Sequence, residues 1–152
     1  MRKGFTLIEL LIVIAIVVIL AGVVLIAVNP ARQMAQARNA ERSAEVNAIL
    51  NAISQYQIDA QALPSCIPDS PIVACIGTGG AASCVNDGAT GADACDLSAT
   101  GADPLAPTYI ADIPEGPSGS TADTGYNVTK SGSRVTVSAG YVELGVTISV
   151  TR

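Results

Sequence analysis

The chain opens on an apolar run. From Phe5 to Val28 a single charge, Glu9, interrupts it. Leu10–Val28 alone gives 19 uncharged residues, about 28 Å of helix. A hydrocarbon core is roughly 30 Å thick, so residues 5–29 are expected to form a membrane-spanning helix. The pattern then turns amphipathic. Residues 30–60 hold no Gly, and no Pro after Pro30, and are rich in Ala, Gln, Arg and Glu, which favour helix. Val46, Ile49, Leu50, Ile53 and Tyr56 fall on one face, at helical spacing. Arg38, Glu41, Arg42, Glu45 and Asn47 take the opposite side. The apolar stripe needs a cover, most simply a sheet from the same chain.

Residues 61–106 lose periodicity. Small and turn-forming residues dominate them, which predicts loop. So long a loop is unusual in a compact domain unless it is functional, pinned or disordered. Residues 107–152 read as β. Tyr126–Lys130, Arg134–Ser138 and Val146–Thr151 carry the alternating or β-branched patterns of strands. Ser131-Gly132-Ser133 is placed as a hairpin turn, and Ala139–Gly145 as a longer connection. Tyr109–Ile113 is a candidate fourth strand. The expected fold class is α+β: one long N-terminal helix on a small antiparallel sheet of three or four strands.

Composition narrows the chemistry. A length of 152 residues allows one compact domain plus an anchor. The net charge of −5 argues against nucleic acid, which calls for a basic face. Histidine is absent, so an imidazole mechanism is excluded. No Gly-rich phosphate loop precedes a helix, and no carboxylate pair has a recognisable catalytic setting. The chain is not expected to be an enzyme. Asn127-Val128-Thr129 matches a glycosylation sequon, but it falls inside an expected strand and is read as one.

Cys66, Cys75, Cys84 and Cys95 all lie in the 61–106 loop. Arg2 and Lys3 precede the apolar run, which keeps the N-terminus cytoplasmic and sends the loop outward. An even count there favours two disulfides. Cys66–Cys75 with Cys84–Cys95 is preferred, because each bridge closes a short loop; Cys66–Cys95 with Cys75–Cys84 is the nested alternative. A zinc site is disfavoured by the wide spacing and the lack of His. Asn86, Asp87, Asp93, Asp96 and Asp103 make the loop acidic but lack EF-hand spacing.

Glu9 is the residue that a plain anchor does not explain. A carboxylate at a membrane helix centre costs roughly 2.5 kcal/mol or more, and less toward an end. A secretory signal peptide would have a shorter apolar region and a small-residue cleavage site, and Val28-Asn29-Pro30-Ala31 is a poor one. The run K-G-F-T-L-I-E-L-L-I-V-I-A-I resembles the N-terminal signature of type IV pilins and of type II secretion pseudopilins. The resemblance implies a leader of residues 1–4, cleaved after Gly4 by a prepilin peptidase, and N-methylation of Phe5. It implies that Glu9 pairs with the Phe5 amine of a neighbouring subunit. It also implies that the helix near Gly22 and Pro30 loosens or unwinds on packing. Relatives of this kind suggest a calcium loop, for which Asp112, Glu115 and Asp123 are the candidates; no other cofactor is implied. The partners would be identical subunits in a helical filament, the peptidase, and an inner-membrane assembly platform with its ATPase. The subunit would wait in the inner or cytoplasmic membrane and end in a pilus or envelope-spanning pseudopilus. The alternatives are a minor pilin or pseudopilin for priming, secretion or DNA uptake, or a monotopic envelope protein that binds a ligand.

Overall fold

Thr6 starts the first helix, α1, at Leu7–Ala27. Its hydroxyl accepts from the Glu9 N–H while the Glu9 carboxylate accepts from the Thr6 N–H, a reciprocal capping box. The computed structural model describes residues 4–79 and 94–152. The chain divides into two units, Met1–Ala35 and Gln36–Arg152. Residues 1–3 of the expected leader lie outside the described residues, as do Cys84, Asn86, Asp87 and Asp93.

α1 stops before Pro30. Val28 adopts extended backbone, with φ −104° and ψ 112°, and its N–H still reaches the Val24 carbonyl at 3.0 Å. The second helix, α2, runs Pro30–Ala60. The interruption expected at Pro30 is a full break. The helix ends and restarts across Val28–Asn29. The residue before a proline is pushed out of helical backbone. Pro30 itself is well placed at a first helical position, where its missing N–H is no loss. Asn29 caps the restart: its Oδ1 accepts from the Arg32 N–H at 3.2 Å. Gly22 stays inside α1, with open space around it.

α2 carries the apolar stripe into the second unit. Val46, Ile49, Leu50 and Ile53 are fully buried and join one core with Tyr126, Val128, Val135 and Val137. The sheet is four-stranded, β1 (Ala74–Cys75), β2 (Tyr126–Ser131), β3 (Arg134–Ala139) and β4 (Ser149–Thr151), in the order β1-β2-β3-β4. All its pairings are antiparallel. Tyr126 faces Ala139 and Val128 faces Val137 in the register, so the inward side chains of both strands meet α2. Ser131 pairs with Arg134, which leaves Gly132 and Ser133 as a two-residue turn. Gly132 sits at φ +63°, as a tight hairpin requires.

Two strand expectations change. The fourth strand is Ala74–Cys75, not Tyr109–Ile113, which is turn and bend. Ile113 nonetheless joins the core. The last strand is shorter than Val146–Thr151, because Leu144 and Gly145 both take positive φ and delay the return of the chain to β3.

The disulfide pairing is also corrected. Cys66 bonds to Cys95, with Cα atoms 5.0 Å apart, so neither Cys66–Cys75 nor Cys84–Cys95 forms. Cys75 is disulfide-bonded too. Topology overrides loop length: Cys75 is held in β1, and Cys95 lies alongside, its N–H donating to the Cys75 carbonyl at 2.8 Å. That register brings Cys95 beside Cys66 across 29 residues. Asp103 fastens the same region, taking the Tyr56 hydroxyl at 2.9 Å and the Ser65 N–H at 2.7 Å. The Ser65 hydroxyl and N–H, with the Tyr56 hydroxyl, hold the Asp103 carboxyl below its usual range.

Ile53→Ala should cost about 2–5 kcal/mol, since the site is enclosed by both helix and sheet. Denaturant unfolding of the full chain in detergent, followed by circular dichroism, measures it. Val13→Ala, on exposed α1, should leave that midpoint nearly unchanged.

Candidate assembly site

The sequence-predicted site residues fall in separate places. Gly4, Phe5 and Glu9 lie at the head of α1. Every α1 side chain that the structure describes is exposed, and Leu7–Val24 is long and apolar enough to cross a membrane. On this bare apolar rod Glu9 is the sole ionisable group. Its carboxylate is not idle. One oxygen accepts from the Thr6 N–H at 2.9 Å and from the Thr6 hydroxyl at 2.8 Å. The carboxylate thus folds back onto Thr6, at the start of the helix.

Thr6 is the residue that pattern reasoning misses here. Its signal is present in T-L-I-E, the S/T-x-x-E spacing of a capping box. The cap changes the electrostatic account of Glu9. Two donors meet the carboxylate within its own chain before any amine is created nearby. A carboxylate next to a helix N-terminus also gains from the helix dipole.

The calcium candidates do not gather. Asp112 and Glu115 line a cavity of about 60 Å³ with Asp96, Thr78, Thr121 and Thr124. Asp123 lies apart from that lining. It accepts from the Gly125 N–H and from the Tyr141 hydroxyl, each at 3.0 Å. Among the described residues no group of three His, Cys, Asp or Glu is arranged to hold a metal ion.

A polar network in the second unit is a further finding. Arg38 grips Glu143 with two hydrogen bonds of 2.6 Å. Asn39 takes both backbone groups of Glu143, at 2.8 and 3.1 Å. Arg42 is only 2% exposed, and reaches Glu143, Asn39 and Ser118. Glu45 accepts from the buried Tyr126 hydroxyl. Burial and this carboxylate push the Tyr126 phenol well above its usual range. Arg38 and Arg42 together lower Glu143 to about 2. Sequence reasoning places Arg38, Arg42 and Glu45 on the polar face of α2. Their partners are distant in the chain, 105 residues from Arg38 to Glu143 and 81 from Glu45 to Tyr126. No local pattern spans such separations.

Residues 1–25 match the family model described as the prokaryotic N-terminal methylation motif. The chain carries the prepilin signal of type IV pilins and pseudopilins. The motif ends before Pro30, so the match speaks for α1 and leaves the second unit to its own physics. No curated protein and no solved structure matches the chain. The motif implies processing by a prepilin peptidase and assembly into pilus-type filaments.

Glu143 gives a pH test. Its folded pKa is depressed from an unfolded value of about 4.3, so its contribution is complete above that value. It fades as pH falls toward about 2, where the protonated acid no longer pairs with Arg38. Glu143→Gln should therefore be less stable than wild type at pH 7, with the gap closing toward pH 2. Paired thermal melts across that range check it.

Proposed function

We propose that the chain is a structural subunit of a type IV filament, pilus or pseudopilus, that polymerises through α1. The observation that carries this reading is a lone carboxylate at the head of an otherwise uncharged helix, inside a prepilin signal. In the proposed sequence of events the subunit waits in the membrane with α1 spanning it. A prepilin peptidase cuts after Gly4 and methylates the amine of Phe5. The cut removes Arg2 and Lys3 and creates a cation at the end of the apolar rod. Glu9 then docks on the Phe5 amine of a neighbouring copy.

Physical chemistry supports each step. An exposed apolar helix gains little by packing on another inside lipid, so small differences in polar pairing select the register. An ion pair in such a medium is unfavourable to break once made, because removing one partner strands a buried charge at about 3–5 kcal/mol. That makes the Glu9–Phe5 pair a device for fixing stagger between copies. Once copies have left the lipid, burial of the uncharged surface of α1 away from water supplies the bulk of the association. The break at Val28–Asn29, with Gly22 upstream, is where α1 could change length as copies pack.

The capping box allows pairing to be separated from folding. Gln at position 9 can still reach back to the Thr6 N–H, but it carries no charge. Glu9→Gln should keep α1 and its membrane level while lowering filament yield at least about tenfold. Quantified shearing of filaments, with N-terminal sequencing of the subunit, reads both. Methylated Phe5 at the terminus and a low Glu9→Gln yield are expected. Wild-type filament yield from Glu9→Gln would sink the pairing role. An uncut Met1 terminus would sink the reading as a whole.

A further inference from the structure

The second unit segregates its charge. Residues 43–129 hold ten acidic residues and no Lys or Arg. Residues 130–152 hold Lys130, Arg134 and Arg152 against the single acid Glu143. Glu143 is neutralised by Arg38 and Arg42. Of the basic residues in this unit, Lys130, Arg134 and Arg152 make no salt bridge among the described residues.

Topology gathers these cations, with Asp69 bridged beside Lys130. Lys130 pairs with Val135, next to Arg134. Val135 and Arg152 exchange backbone hydrogen bonds of 2.7 and 3.0 Å. The three cations therefore share one end of β2, β3 and β4. β4 is the last strand in the order, and no strand pairs with its outer edge among the described residues. Past the end of β1, exposed Asp112 and Glu115 flank the cavity with Asp96, beside Ile76, Gly77 and Thr78. Three strand spacings of about 4.8 Å separate the two edge strands by about 14 Å.

We propose that the basic β3–β4 edge of one copy docks on the acidic surface beyond β1 of the next, Arg134 opposite Asp112 and Glu115. This inference rests on the filament reading above and names the contact between its heads. Four considerations select a second copy as the occupant. The two patches are complementary in sign and belong to one chain. They are two different surfaces of the chain, so the contact is heterologous. Heterologous contacts propagate, which is what an open helical polymer needs. Finally, Glu143, the one acid of residues 130–152, is already engaged by Arg38 and Arg42. Like-charge contacts cost several kcal/mol, so the same charges disfavour copies meeting basic edge to basic edge.

The test uses filaments sheared from cells expressing the full chain. Arg134→Glu should lower filament yield at least about tenfold, and Glu115→Arg should do likewise. The double variant, with the charges swapped, should recover most of the yield. In filaments of Arg134→Lys a zero-length carbodiimide should join the amine at position 134 of one copy to Asp112 or Glu115 of another. That measurement stands even where a charge reversal harms folding, which peptide mapping of Cys66–Cys95 would detect. Wild-type yield from Arg134→Glu, or no such crosslink, overturns the proposal. If Arg134→Glu filaments form normally but lose binding to phosphatidylglycerol vesicles, the edge serves a lipid surface and the proposal falls. A wild-type chain that makes no filaments fails the filament reading instead.

Discussion

An apolar helix of 21 residues, exposed at every side chain that the structure describes, is the constraint on which the rest depends. Water does not solvate such a surface without a large penalty. Lipid does, and so do other copies of the same helix. The choice between those two surroundings is close, because hydrocarbon and neighbouring Leu or Ile side chains offer similar apolar contact. A reversible transfer from one to the other is possible only when that balance is close. Polar groups then decide, and α1 has one ionisable group with which to decide.

The capping box shows how that group is tolerated. In hydrocarbon every unsatisfied backbone donor costs several kcal/mol. The start of a helix leaves its first N–H groups without internal partners. Thr6 and Glu9 answer both needs at once, since the carboxylate accepts the Thr6 donors and the hydroxyl accepts the Glu9 N–H. A carboxylate that looks costly in the sequence is thereby part of the helix terminus. The cap leaves the charge in place. Its remaining electrostatic demand is for a cation, and the cut after Gly4 would supply one a single residue away from Thr6.

What the sequence made legible follows the range of the interactions. The stripe Val46–Tyr56 is readable because three turns repeat one period, and it is buried as expected. The hairpin around Gly132 is readable because the turn needs a residue tolerant of positive φ. The Asn29-Pro30 cap and the Thr6–Glu9 box are local as well; each is a short motif that apolar periodicity does not register. β1 is different. Two residues carry no alternation, so Ala74–Cys75 has no signal to read. The pairing of Cys66 with Cys95 depends on that same strand, so preferring short loops fails with it. The grip of α2 on Glu143 joins residues 105 positions apart, where only the assembled fold brings them together.

The two polar devices of the chain act on different scales. The Glu9 cap holds one charge at a helix end, where a small change in partner can alter register. The second unit holds Glu143, the one acid of residues 130–152, in a clamp made by Arg38, Asn39 and Arg42. That clamp fixes the β3–β4 connection to α2, and burial makes it expensive to leave half satisfied. It also settles the sign of the adjoining surface. Had Glu143 faced solvent unpaired, it would have offset one of the cations that follow β2. Held by two arginines, it leaves Lys130, Arg134 and Arg152 as the other charges of residues 130–152. A single internal ion-pair network thus does two things: it anchors the last turn of the chain to the helix, and it takes the one acid of that segment out of the local charge balance.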